Sequence, residues 1–244
     1  MSLWREWTGR ASQAWLQRFL QRHGLATGAP PGAAADTRTE RSRRLLLHVG
    51  CGRATVADIA VSGFHCPDPG WHEIRLDADE RVAPDIVGSM TGMGAVPDDF
   101  ADAIYSSHGI EHLYWHDVPS ALAEFRRVLV DDGFAVIVCP DVQAAAQMIA
   151  EDRMFETAYV SQAGPITPFD IVYSYRPFVR ANPEWMSHHC GFTLSTLTAA
   201  VRQAGFEAIH GYRNNFELRL LASKSPRDAE AMAALARDYL PAAA

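Results

Sequence analysis

Residues 106–116 read S-S-H-G-I-E-H-L-Y-W-H and set His108, Glu111, His112 and His116 at intervals of three and four. Imidazoles and a carboxylate so spaced can surround a divalent ion or move protons near neutral pH. A second group, H-V-G-C-G-R-A at 48–54, carries Gly50 and Gly52. Such a pair lets the backbone approach a ligand closely, and a helix beginning after it would offer free N–H groups. The full G-x-G-x-x-G fingerprint is absent, because Thr55 stands three positions beyond Gly52. Asp77 closes H-E-I-R-L-D and can accept hydrogen bonds from both hydroxyls of a ribose, although an acid there can equally cap a helix. Residues 169–192 gather Tyr173, Tyr175, Arg176, Arg180, Trp185, His188 and His189. Rings and arginines of this kind can grip an aromatic, a sugar or a carboxylate, or simply pack on one another. His188-His189-Cys190 is not read as a metal site, because adjacent side chains diverge on a strand.

These residues must be positioned by the elements around them. Short apolar runs at 44–49, 72–77, 85–88, 102–107, 134–139, 206–212 and 215–223 read as strands. Between the fourth and fifth, V-P-S-A-L-A-E-F-R-R-V-L has apolar residues at helical spacing. Strands alternating with helices predict βαβ units in a parallel sheet, with the last two strands antiparallel. Ligands bind beyond the carboxyl ends of such strands, where the acids, glycines, serines and histidines sit. The prediction is a doubly wound α/β fold: a mostly parallel seven-stranded sheet, helices on both faces, and a cap inserted at about 150–190. An amphipathic helix over 2–23 and a breaker-rich linker (24–36) precede it, giving segments 1–40, 41–225 and 226–244, the last a C-terminal helix.

Composition narrows the function. Residues 1–44 carry a net charge of +5 and the remaining 200 carry −12, out of −7 for the whole chain of 244. An acidic body argues against a nucleic-acid groove. The basic leader would dock on the domain itself, a partner or a membrane surface. No apolar run approaches the roughly 20 residues of a membrane span, and no signal peptide is legible. The four cysteines form no C-x-x-C pair, which fits reduced thiols in the cytoplasm.

Taken together, L-L-L-H-V-G-C-G, R-L-D, P-D-I-V-G-S-M, D-D-F-A-D-A-I-Y-S-S-H-G-I-E-H-L and A-L-A-E-F-R-R-V-L-V-D-D-G-F-A-V-I-V-C-P-D (residues 44–141) resemble class I S-adenosylmethionine-dependent methyltransferases. The resemblance is nearest to the small bacterial methyltransferase-domain proteins grouped as type 11. The chain departs from the pattern at His48, where an acid is usual, and at Ala54, where a third glycine is usual. The resemblance implies cofactor contacts from His48, Gly50, Cys51 and Gly52 at the amino-acid end. Asp77 would hold the ribose, Ala78, Ser89 and Met90 the adenine, and Ser106 and Ser107 would lie near the sulfonium. It further implies a methyl transfer to a small-molecule acceptor, with oxygen favoured, in a monomer or homodimer. His108 and His112, with Glu111, are the candidate acid–base residues, and Tyr173, Tyr175, Arg176, Trp185 and His188 the candidate substrate contacts.

Two alternatives stay open. One is a binding module that keeps the fold without catalysis. The other is a metal-assisted O-methyltransferase. Ubiquinone-pathway O-methyltransferases and small-RNA terminal-ribose methyltransferases are similar in this segment, with E-x-x-E-H ligands after strand four. Here His108 replaces the first glutamate, Glu111 and His112 match, and His116 would be added. With that carboxylate lost, no metal is assigned. H-x-x-E-H also resembles an inverted zinc-hydrolase signature, but that signature needs a single helix, and Gly109 sits inside this one.

Overall fold

The computed structural model describes residues 44–55, 58 and 70–240. The helix read over 2–23, the linker, the boundary near residue 40, Cys66 and the start of the helix after the glycine loop lie outside the described residues.

The core strands are β1 (Arg44–Val49), β2 (Trp71–Asp77), β3 (Ile86–Val87), β4 (Ala101–Ser107) and β5 (Leu129–Pro140). A hairpin of β6 (Tyr159–Ser161) and β7 (Gly164–Ile166) belongs to the cap, and β8 (Ala208–Asn214) and β9 (Glu217–Ser223) close the sheet. The sheet order is β3-β2-β1-β4-β5-β9-β8, parallel except for β9, which runs antiparallel to both neighbours. Strand order reverses between β1 and β4. The crevice at that switch point is where open α/β sheets bind ligands.

The helices are α1 (Val118–Val128), α2 (Val142–Ala150), α3 (Pro168–Tyr173), α4 (Arg176–Ala181), α5 (Pro183–Met186), α6 (Leu194–Gln203) and α7 (Ala229–Tyr239). β1 is apolar on both faces because both are covered. Leu45, Leu47 and Val49 pack with Leu122 and Phe125 of α1 and Leu197 and Val201 of α6. Leu46 faces the other way, in a cluster with Tyr105, Val136, Met232 and Tyr239. α7 therefore belongs to the domain core: Tyr239 sets its ring 4.7 Å from Phe134 and 5.8 Å from Trp71. Among the described residues no helix is long and apolar enough to cross a membrane.

Candidate active site

The turn after β1 is held open by its own backbone. Gly50 (φ +67°) and Gly52 (φ +53°) adopt left-handed conformations that a side chain would strain. The N–H groups of Gly50 and Cys51 donate to the Leu76 carbonyl, at 2.9 and 3.3 Å. Asp77, ending β2, accepts from Gly52 N–H on Oδ2 (2.8 Å) and from Asp79 N–H on Oδ1 (2.9 Å). One carboxylate thus locks the loop to the strand, and each oxygen retains a lone pair. Among the described residues a Cβ on Gly52 would meet nothing within 4 Å.

The other expected cofactor residues fall unevenly around this turn. Met90 places its terminal methyl 3.3 Å from a Cβ on Gly50 and 3.2 Å from one on Gly109, closing the floor between the β1 and β4 exits. Ser89 is exposed and shares a 2.8 Å hydrogen bond with Thr91. Ser106 Oγ is buried without a hydrogen-bond partner, beside Gly109. Ser107 and Ala78 are half-buried. Cys51 is buried, and burial pushes its thiol up to about 11. His48 is buried inside β1 with Nδ1 2.8 Å from Glu73 and its ring on Tyr105. It serves the sheet face there, and the turn is built without it.

The β4 exit gathers the titratable groups. His108 takes a left-handed backbone (φ +51°), and Ile110–His112 form a single 3-10 turn. The segment is therefore no continuous helix. Glu111 is 1% exposed, and among the described residues neither carboxylate oxygen has a hydrogen-bond partner. His108 Nδ1 stands 3.4 Å from Glu111, and its Nε2 lies 3.2 Å from Glu217. Burial works against a charge on His108, but the two carboxylates outweigh it and raise its pKa to about 10. With 44% of the side chain exposed, water screens part of that attraction. His108 is thus placed as a charge partner for the two acids. Burial pushes the Glu111 carboxyl up, yet His108, His112 and His188 together bring it below the usual range.

The cap returns to this exit through residues 187–192. His189 and Cys190 donate their backbone N–H groups to the Glu111 carbonyl, at 2.9 and 3.2 Å, and Val142 N–H donates to the Phe192 carbonyl. Gly191 permits the approach, since a Cβ there would lie 2.4 Å from Val142 Cγ1. His188 Nε2 comes within 4.0 Å of Glu111 Oε1, and its ring meets that of His112 edge-on at 4.9 Å. Burial holds His188 below the usual imidazole range. His189 instead stacks on Tyr114 at 4.3 Å, and Cys190 Sγ approaches the Ile110 carbonyl. His116 is exposed beside Asp117, away from the cluster.

A cavity of about 530 Å³ opens in the cap, lined by residues that include Phe169, Tyr173, Arg176, Arg180, Ser187 and His188. Ser174, also on its wall, has φ +79°. Arg176 is committed to Asp170, Nε to Oδ1 at 2.8 Å and Nη2 to Oδ2 at 3.2 Å. Two expected contacts lie outside this lining: Tyr175 donates to the Ala163 carbonyl (3.0 Å), and Trp185 is exposed on α5. Ser174, Ser187 and Phe169 carry no local sequence signal; only the folding of the cap brings them to one wall.

A sequence model for a methyltransferase domain matches residues 5–211. The chain belongs to the methyltransferase-domain family. A SAM-dependent methyltransferase from Archaeoglobus fulgidus has a similar structure, with 14% identity and a TM-score of 0.50. The match covers 86% of this chain and 94% of that one. A second similar structure, a SAM-dependent methyltransferase from Methanosarcina mazei, is 13% identical with a TM-score of 0.49, over 77% of this chain and 95% of that one. At these identities the likeness concerns the fold. No curated protein sequence matches.

Proposed function

We propose that this methyltransferase uses S-adenosylmethionine to methylate an oxygen of a small-molecule acceptor held beneath the cap. The observation that carries the reading is the Asp77 carboxylate, fixed by two backbone N–H groups beside a left-handed glycine turn. Its remaining lone pairs suit two neighbouring ribose hydroxyls, and the open turn suits the amino-acid end of the cofactor. Ala78, Ser89 and Met90 lie along the adenine side, Ser106 and Ser107 toward the sulfonium.

When bound, the cofactor supplies a methyl group already activated by a positively charged sulfur. The chain's own work is to align the acceptor, exclude water and receive a proton. Phe169 and Tyr173 give the cavity flat apolar walls, and Arg180, free of the Asp170 pair that holds Arg176, suits an acidic substituent on the acceptor. His188 joins that cavity to Glu111 and His112, so an acceptor held there has its reacting hydroxyl beside this cluster.

The test is thermal stabilisation by S-adenosylhomocysteine. Wild-type protein is expected to shift upward and Asp77→Ala to lose the shift. An unchanged shift in the variant, or none in the wild type, overturns the reading. Transfer of labelled methyl to hydroxylated aromatic acceptors then tests the oxygen preference, and label recovered on nitrogen or sulfur overturns that part.

A further inference from the structure

The geometry points to a divalent transition-metal site formed by Glu111, His112 and His188. One ligand atom from each lies within 4.8 Å of the other two. Ligands about 2.0–2.2 Å from a common ion stand about 3.4 Å apart, so the 4.0 Å between His188 and Glu111 would close by about half an ångström, and any pair nearer the 4.8 Å bound by more.

The second observation is the way the rings are turned. His112 Nδ1 lies 3.0 Å from the Ser187 carbonyl, and His188 Nδ1 lies 3.1 Å from the Ile171 carbonyl. A carbonyl only accepts, so each Nδ1 carries a hydrogen, and in the neutral ring it is Nε2 that keeps the lone pair. This is the outer-shell arrangement that orients metal-bound imidazoles. The third is Glu111, whose two buried oxygens have no hydrogen-bond donor among the described residues. A buried carboxylate without donors is costly unless a cation compensates it. His108 at 3.4 Å supplies part of that charge, from one side.

Two imidazoles and one carboxylate favour a borderline ion of the zinc type over magnesium or calcium, which prefer oxygen. Three protein ligands leave a position open. His188 also lines the cap cavity, so the ion would sit beside the space assigned to the acceptor. An acceptor hydroxyl bound there loses its proton to water at lower pH, leaving the oxygen lone pair for the methyl group. This role rests on the methyl-transfer reading, whereas the binding of the ion does not. The metal-assisted alternative read from the sequence set His108, and His116 as an added ligand, beside Glu111 and His112; in the site proposed here the third ligand is His188, delivered by the cap.

The experiment titrates tag-free, chelator-treated full-length protein with zinc, read by calorimetry. One ion per chain is expected. His188→Ala and Glu111→Gln should each weaken it by more than the roughly 10–100-fold that losing an outer-shell partner costs, while His116→Ala changes nothing. No stoichiometric binding, or binding that survives His188→Ala, overturns the site. If either variant fails to fold, cobalt added to the wild type decides. Visible absorption bands displaced by zinc support nitrogen ligation, and their absence refutes it. The S-adenosylhomocysteine shift, measured alongside, keeps the two readings apart: zinc can fail while that shift persists, and the reverse.

Discussion

His188 of the cap stands 4.0 Å from Glu111 at the exit of β4, and the backbone N–H groups of His189 and Cys190 bond to the carbonyl of that same glutamate. Cap and sheet therefore meet through one residue at both its side chain and its main chain. Three stability predictions follow from how this junction and its surroundings are built, beside the cofactor and zinc tests above.

Gly191→Ala should weaken the junction. The new methyl would fall 2.4 Å from Val142 Cγ1, a stiff β-branched side chain at the start of α2. Overpacking of this kind costs about 1–3 kcal/mol. Urea denaturation should show the loss, and an unchanged midpoint would mean that the return segment does not pack as described.

Asp170→Asn tests the charge that holds the cavity wall. Burial pushes the Asp170 carboxyl up, but Arg176 and Thr167 outweigh it and hold the group below its ordinary range. A lowered folded pKa gives stability that is present above about pH 4, the unfolded value, and lost as pH falls through the folded one. The variant should be less stable than wild type by about 1 kcal/mol at pH 7. The gap should narrow below pH 4 in denaturant titrations. A gap constant from pH 7 to pH 3 would refute the ion pair.

Tyr239→Ala should cost about 3 kcal/mol, the scale of removing a buried aromatic ring. Tyr239 packs on Phe134 and Trp71, and Tyr212 donates to the Leu240 carbonyl one residue later. A loss below about 1 kcal/mol by chemical denaturation would make residues 226–240 an appendage, as their segmentation in the sequence suggested.

Much of the fold was legible because its signals are local. R-L-L-L-H-V gave β1 to the residue, and V-P-S-A-L-A-E-F-R-R-V-L fell within a residue of α1. The placing of Asp77 and the two glycines was legible for the same reason: each sits where its own strand ends. The cap was not. Its aromatics divide between the cavity (Phe169, Tyr173) and their own packing (Tyr175 against Phe178), and composition does not distinguish the two. The divergence of His188, His189 and Cys190 held in the structure. It concealed that one of the three, alone, reaches a partner supplied by another element.

The lock between Asp77 and Gly52 has a kinetic side. Because the carboxylate is already bonded to the loop backbone, the turn has little left to order when a ligand arrives. Association there should be limited by diffusion and desolvation rather than by rearrangement. A slow step in ligand entry would then be looked for in the cap, whose residues 188–190 are tied to Glu111.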